Sequence, residues 1–201
     1  MALPLSLVLA LAQQCAPAVA PATLAAVARA ESGFDPLAIG VNGPRPRRLR
    51  PGSSEEAAAT ARRLIAAGEN IDLGIAQINA RNLGRLGLTI EAAFEPCANL
   101  AASAKILAAD YGLAASKAPD KQAALRAALS YYNTGTSGRG IANGYVDRVL
   151  AAAGDVDPSP AGPLAVAVPP QPPPPRWDVF AHDAAPLDRF VFSPQALGDQ
   201  P

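Results

Sequence analysis

The chain has 201 residues, half of them apolar, with 17 basic residues balanced by 17 acidic ones. This supports one domain with a proper core plus an appendage, and it leaves no electrostatic case for nucleic acid as the main partner. Two cysteines and the single His182 make no zinc set, and they exclude cysteine–histidine and Ser–His–Asp nucleophile schemes.

In chain order, residues 2–12 form an apolar run in which Ala10-Leu11-Ala12 resembles an export-signal cleavage site, although no Lys or Arg precedes it. Residues 1–12 read either as a short or remnant export signal or as the first helix of the domain. No stretch reaches the 18 apolar residues of a membrane span, so membrane association is peripheral at most. Pro21 suits the first turn of a helix. Leu24, Val27, Ala28 and Glu31 then recur at the spacing of a core-facing stripe, and Gly33 and Pro36 stop it. A carboxylate on that stripe is out of place. Desolvation and the negative end of the helix dipole both favour its neutral form, and a carboxyl protonated near neutral pH is what general-acid catalysis requires. The alternative is a Glu that turns out to solvent at a fraying helix end.

Residues 37–54 read as loop, because Gly40, Gly43, Pro44, Pro46, Pro51 and Gly52 leave little room for regular structure. Four arginines (Arg45, Arg47, Arg48, Arg50) crowd this stretch, either as a solvated loop or as a patch that meets an anionic envelope surface, lipid or wall polymer. Ser53 caps a helix running to about Ala67. Residues 70–79 alternate as a short strand entering a helical turn, and 83–88 read as a turn. Helices are expected over about 97–112, 119–132 and 141–153, with a glycine loop at 135–140. Five helices and at most one small hairpin make the class α+β, mainly α.

The domain is expected to span 13–154. Residues 155–201 are Pro-rich and read as a disordered tail. Trp177, Phe180, Phe190 and Phe192 are either a docking peptide on a stiff tether or incidental aromatics. Cys15 and Cys97 are either two buried thiols or one disulfide closing a loop of about 80 residues, which would contribute about 4–5 kcal/mol in an oxidising compartment.

Three segments taken together resemble the three motifs of the soluble lytic transglycosylase superfamily, which shares the goose-type-lysozyme-like fold. They are Glu31-Ser32-Gly33-Phe34-Asp35-Pro36, Leu73-Gly74-Ile75-Ala76-Gln77-Ile78-Asn79 and Leu129-Ser130-Tyr131-Tyr132-Asn133-Thr134-Gly135. Gly144-Tyr145-Val146 matches the aromatic position that follows the third motif. Gln13-Gln14-Cys15-Ala16-Pro17, the insert 55–67 and Phe94-Glu95-Pro96-Cys97 resemble the transglycosylases that accompany type IV secretion and conjugation machines.

This resemblance, over residues 7–153, implies cleavage of the MurNAc-β-1,4-GlcNAc bond of peptidoglycan with a 1,6-anhydro product, no cofactor, and a periplasmic location in a Gram-negative bacterium. Glu31 would be the catalytic acid. Tyr132 would hydrogen-bond or position it with Asn133 alongside, Gln77 would contact an N-acetyl or peptide group, and Asn79 and Tyr145 would complete the groove. The family pattern pairs Cys15 with Cys97, and channel proteins become expected partners of the tail. Two departures stand out: Ala76 where Met is usual, and Gly40 where a serine often contacts substrate. Asp35 reads as structural, and Asp72 is the one other acid close to a motif. The rival readings are a hydrolytic muramidase and a non-catalytic wall-binding assembly factor.

Overall fold

The apolar N-terminal run forms α1 (Leu5–Cys15), which buries Val8 and Ala12 against Leu24, Ala25, Ala28 and Phe34. The structure, a computed structural model, describes residues 1–156. The N-terminal segment thus has a place in the folded core. The Pro-rich tail, its aromatic residues and His182 lie outside the described residues.

Helix α2 (Pro21–Ser32) is less amphipathic than its sequence stripe suggests. Leu24 to Val27 and Ala28 are consecutive and all buried, because α1 covers one side and later helices the other. Its alanines allow that close approach, and a helix covered all round needs no polar face. The helix ends at Gly33 with φ +67°, whose N–H bonds back to the carbonyls of Ala28 and Arg29.

The stretch 37–54 is not loop throughout. It contains β1 (Ile39–Asn42) and β2 (Arg47–Leu49). With β3 (Asn70–Leu73) and β4 (Ile78–Asn79) they form an antiparallel sheet in the order β2-β1-β3-β4. Strands this short offer too few alternating positions for a period-2 signal, and the prolines of the β1–β2 turn mask what remains. Ile39, Val41, Ile71, Leu73 and Ile78 point from the sheet into a core shared with α3 (Ser54–Ala66). Ser53 caps α3 as expected, its Oγ accepting from the Glu56 N–H at 3.2 Å.

A four-residue α4 (Leu83–Leu86) occupies the expected turn region. Helix α5 (Pro96–Ala115) continues three residues past Gly112, since one interior glycine costs only about 1 kcal/mol. Then follow α6 (Lys121–Thr134), α7 (Arg139–Ala142), which straddles the end of the expected glycine loop and the start of the expected last helix, and α8 (Tyr145–Val156), which starts four residues later than expected. Eight α-helices and a four-stranded sheet among the described residues make the fold α+β and mainly helical, as its sequence indicates. A disulfide joins Cys15 to Cys97, tying α1 to α5 across a Cα separation of 5.5 Å. No helix of the described residues is long and apolar enough to cross a membrane.

Candidate active site

Glu31 lies in the last turn of α2, partly exposed at the bottom of a cleft of about 510 Å³. The next residue anchors it. Ser32 is buried, and its Oγ donates to the Ile75 carbonyl at 2.7 Å while accepting from the Asp35 N–H at 3.0 Å. One hydroxyl therefore clamps the end of α2 to the loop between β3 and β4. Asp35 is structural, as expected: its Oδ1 accepts from the Leu37 N–H at 3.1 Å, within the turn that follows the helix.

The β3–β4 loop is held from beneath by Asn99 of α5. Its Nδ2 donates to the carbonyls of Leu73 (2.9 Å) and Ala93 (2.6 Å), and its Oδ1 accepts from the Ala76 N–H (2.9 Å). The loop passes so close that a Cβ on Gly74 would lie 2.2 Å from the Ala93 oxygen, and the φ of +77° is itself unfavourable for any other residue. Gln77 follows with φ +52°, a conformation that costs on the order of 1–3 kcal/mol and persists where neighbours enforce it. Its Nε2 does so by donating to the carbonyls of Ala38 (3.1 Å) and Gly74 (2.8 Å). Both amide hydrogens are thus used on backbone, and Oε1 remains as the group Gln77 can offer a ligand. Gly40 explains this pose, because a Cβ there would come within 2.7 Å of that Oε1. The departure from serine at position 40 makes the room that Gln77 occupies.

Antiparallel register aligns Arg48, Gly40, Asp72 and Asn79 in one row across the four strands, and directly opposed residues share a face of the sheet. That face borders the cleft, so Asp72 does line it. Asp72 is tethered on both oxygens: Asn42 Nδ2 and Asn79 Nδ2 each donate at 2.7 Å. Asn79 therefore acts on the wall of the groove by orienting Asp72.

The two tyrosines divide their tasks differently from expectation. Tyr145, at the start of α8, donates its hydroxyl to Glu31 Oε1 at 2.7 Å. Tyr132 lines the cleft but does not hydrogen-bond Glu31. Its hydroxyl donates to the Ala76 carbonyl at 2.7 Å, and Ser103 Oγ lies 3.0 Å away. A phenol has one proton and a carbonyl can only accept, so Ser103 donates to Tyr132. The reason is rotational. Tyr132 faces α5 and the β3–β4 loop, whereas the Asn143-Gly144 turn, in which Asn143 Oδ1 accepts from the Tyr145 N–H at 3.0 Å, aims Tyr145 at the end of α2. Asn133 faces the cleft with its Oδ1 accepting from Asn143 Nδ2 at 3.0 Å, which leaves its own amide N–H groups for a ligand.

Burial dominates the electrostatics of Glu31. It lifts the carboxyl from an ordinary 4.5 to about 7, against the opposing Tyr145 hydrogen bond; Asp72 adds to the rise, and Arg48 and Arg148 oppose it. Asp72 is also raised by burial, against the two asparagine hydrogen bonds. Both tyrosines are pushed up, first by burial and next by the charge of Glu31, so each stays a neutral donor. Since Tyr145 donates to Oε1, the proton of neutral Glu31 belongs on Oε2, free to face a ligand. The site can deliver a proton near neutral pH and take one back.

Sequence reasoning picks out Glu31, Gln77, Asn79, Tyr132, Asn133 and Tyr145, and the structure brings all six around one cleft. It misses Asn99, Ser103 and Asn143, whose roles depend on contacts between distant helices. Ser32 sat within a motif and carried a signal: a small polar residue following the acid.

This cleft, with one raised glutamate between a helix end and a small antiparallel sheet, is where the family shows itself. The transglycosylase SLT domain family matches residues 8–149, and the chain belongs to it. It is also similar to two proteins carrying the name virB1. The "Type IV secretion system protein virB1" of Brucella abortus is 49% identical over 151 residues, covering 72% of this chain and 63% of that protein. The "Protein virB1" of Agrobacterium fabrum is 43% identical over 142 residues, covering 71% and 57% respectively. The chain thus spans about three-fifths of the length of the curated relatives it matches. No solved structure matches it.

Proposed function

We propose that this protein is a lytic transglycosylase that cleaves the MurNAc-β-1,4-GlcNAc bond of peptidoglycan. The observation that carries the reading is Glu31: a carboxyl raised to about 7, held by Tyr145 on one oxygen, in the cleft of an SLT domain. Glu31 Oε2 protonates the glycosidic oxygen as the bond to C1 breaks. The resulting carboxylate takes the proton of the same MurNAc C6 hydroxyl, whose oxygen closes onto C1 as the 1,6-anhydro ring. The proton lost in the first half returns in the second, and no water is consumed.

Two-carboxylate glycosidases need a second acid to act as nucleophile or to activate water; this route does not. Asp72 is nevertheless in the cleft, and that observation favours hydrolysis as the second reading. Its two asparagine tethers support a fixed electrostatic role, in which the carboxylate stabilises positive charge at C1. Mass spectrometry of digested peptidoglycan separates the two. The lytic route yields anhydro ends that weigh one water less than hydrolysis products, and reducing ends alone would overturn it.

The names of the similar proteins support a place beside a type IV secretion or conjugation channel. There the enzyme would act in the periplasm and open the wall locally for channel assembly, with the tail as the segment that meets channel proteins. A Glu31→Gln chain that abolishes wall cleavage but sustains secretion would favour the scaffold role instead.

A further inference from the structure

The cleft has two lobes that meet at Glu31, and their charge differs. One lobe is walled largely by amides, among them Asn42, Asn70, Asn79, Asn133 and Asn143, with Arg139 at its edge. The other, about 430 Å³, shares Asp72, Asn42, Gln77 and Asn133 with the first and adds Arg48 on β2, Arg148 on α8 and Tyr145; Asp72 is already held on both oxygens by asparagines. Most arginines near this half of the molecule have acidic partners: Arg47 pairs with Glu69, Arg29 with Asp155, Arg126 with Asp147, and Arg50 with Asp35. Arg48 and Arg148 have none among the described residues. Arg148 instead lies over the Tyr145 ring at 5.6 Å and donates to the Asn143 carbonyl at 3.4 Å. Arg48 stands in the same cross-strand row as Asp72, so it faces the cleft rather than the core. Two guanidinium groups without acidic partners thus border this lobe, against one, Arg139, at the edge of the other.

We propose that this lobe binds the carboxylates of the peptide stem carried by the MurNAc residue under attack, so that the protein selects stem-bearing, anionic stretches of the wall. This rests on peptidoglycan being the substrate. The stem hangs from the sugar whose C1 is attacked, which places its acidic groups to one side of Glu31. An amide-lined lobe matches N-acetyl groups, and guanidinium forks match carboxylates bidentately. The arginines thereby have a role that their effect on Glu31 does not require. They lower its pKa, so a pair serving only to tune the acid would work against it.

The test is binding by the full chain in a Glu31→Gln background, where no substrate is consumed. Insoluble sacculi with free stem carboxylates are compared with the same sacculi amidated by carbodiimide and ammonia. Each exposed guanidinium–carboxylate pair contributes about two- to fivefold, so with two pairs free carboxylates should be preferred by about four- to twenty-five-fold. That preference should shrink between about 0.05 M and 0.5 M salt as screening increases. Adding Arg48→Gln and Arg148→Gln should bring the ratio to near one, and Arg48→Lys with Arg148→Lys should restore part of it. Equal binding to both sacculi, or a preference that survives the double glutamine change, overturns the proposal. So does a double variant that loses affinity for phosphatidylglycerol vesicles but keeps its sacculus preference, which would assign the pair to a lipid surface. Failure of the glycosidase reading is seen separately, as intact glycan after incubation with the unsubstituted chain, and it leaves the binding ratio measurable.

Discussion

The floor of the cleft and its rim are both polar, yet they behave as opposites. Beneath the β3–β4 loop, Asn99, Ser32 and Ser103 are fully or almost fully buried. No buried side-chain nitrogen or oxygen among the described residues lacks a partner. At the rim, Asn133, Arg48, Arg148 and the Oε1 of Gln77 keep hydrogen-bonding capacity in hand. Buried polar groups are costly unless satisfied, so the floor spends its hydrogen bonds on geometry and the rim keeps its own for ligands. Glu31 sits on the boundary. It is desolvated enough to hold a proton near neutrality, yet open on one oxygen.

The contrast predicts that changes at Glu31 act on chemistry and changes in the floor act on stability. Glu31→Gln should lower glycan cleavage by about 10²–10⁴-fold, the range for a general acid, with anhydro-muropeptide release as the measurement. The same change should be stabilising at high pH. Glu31 is raised from 4.5 to about 7 on folding, so the folded state holds its proton more tightly. Its relative stability is greatest below 4.5 and is lost as pH rises to about 7. Above that range the charged, buried carboxylate is a burden of up to about 3 kcal/mol. Denaturant melts at about pH 8 and about pH 4 should show Glu31→Gln ahead at the first and level at the second; the reverse order would refute the raised pKa.

Asn99→Ala comes next. It strands two carbonyls and one N–H in the floor, each costing about 1–3 kcal/mol when buried, so a loss of about 3 kcal/mol or more is expected in chemical unfolding. The residual folded fraction should keep the parent pH profile. A shifted profile would mean that the floor tunes chemistry, and the division drawn above would fail.

Tyr145→Phe should be intermediate: about a tenfold loss in rate, since one charge-assisted hydrogen bond disappears. Because that bond favours the carboxylate form, its loss should carry the descending limb of the pH–rate profile above about 7. An unmoved limb would remove Tyr145 from the site. The smallest effect separates the floor tyrosine from the rim asparagine. Tyr132→Phe should cost about 1 kcal/mol of stability by leaving the Ala76 carbonyl with one partner fewer. Asn133→Ala should stay within about 0.5 kcal/mol while weakening substrate binding.

Much of this molecule was legible in its residues, for identifiable reasons. The helices over α2, α3, α5 and α6 announce themselves through caps, proline starts and glycine stops, which are local signals. Glu31 is legible because a carboxylate on an apolar stripe is an anomaly within a single helix. The strands β1 and β2 are not, since a hairpin of four and three residues acquires its pattern only from what it pairs with. Asp72 illustrates the limit. Its place near a motif is visible, but its position in the cleft follows from the register that sets it opposite Gly40 and Asn79.

The anomalous carboxylate at position 31, the helical frame around it and the three motif segments that border the cleft are readable from the chain alone, because each is written in residues a few positions apart. Tertiary structure alone decided which tyrosine touches Glu31, that the Gln77 amide fills the space a side chain at position 40 would take, and that Arg48 shares a row with Asp72. Those outcomes depend on the rotation of α6 and α8 about their axes and on the pairing of four short strands. Neither is a property of any one segment, and both are set only when distant parts of the chain compete for the same buried space.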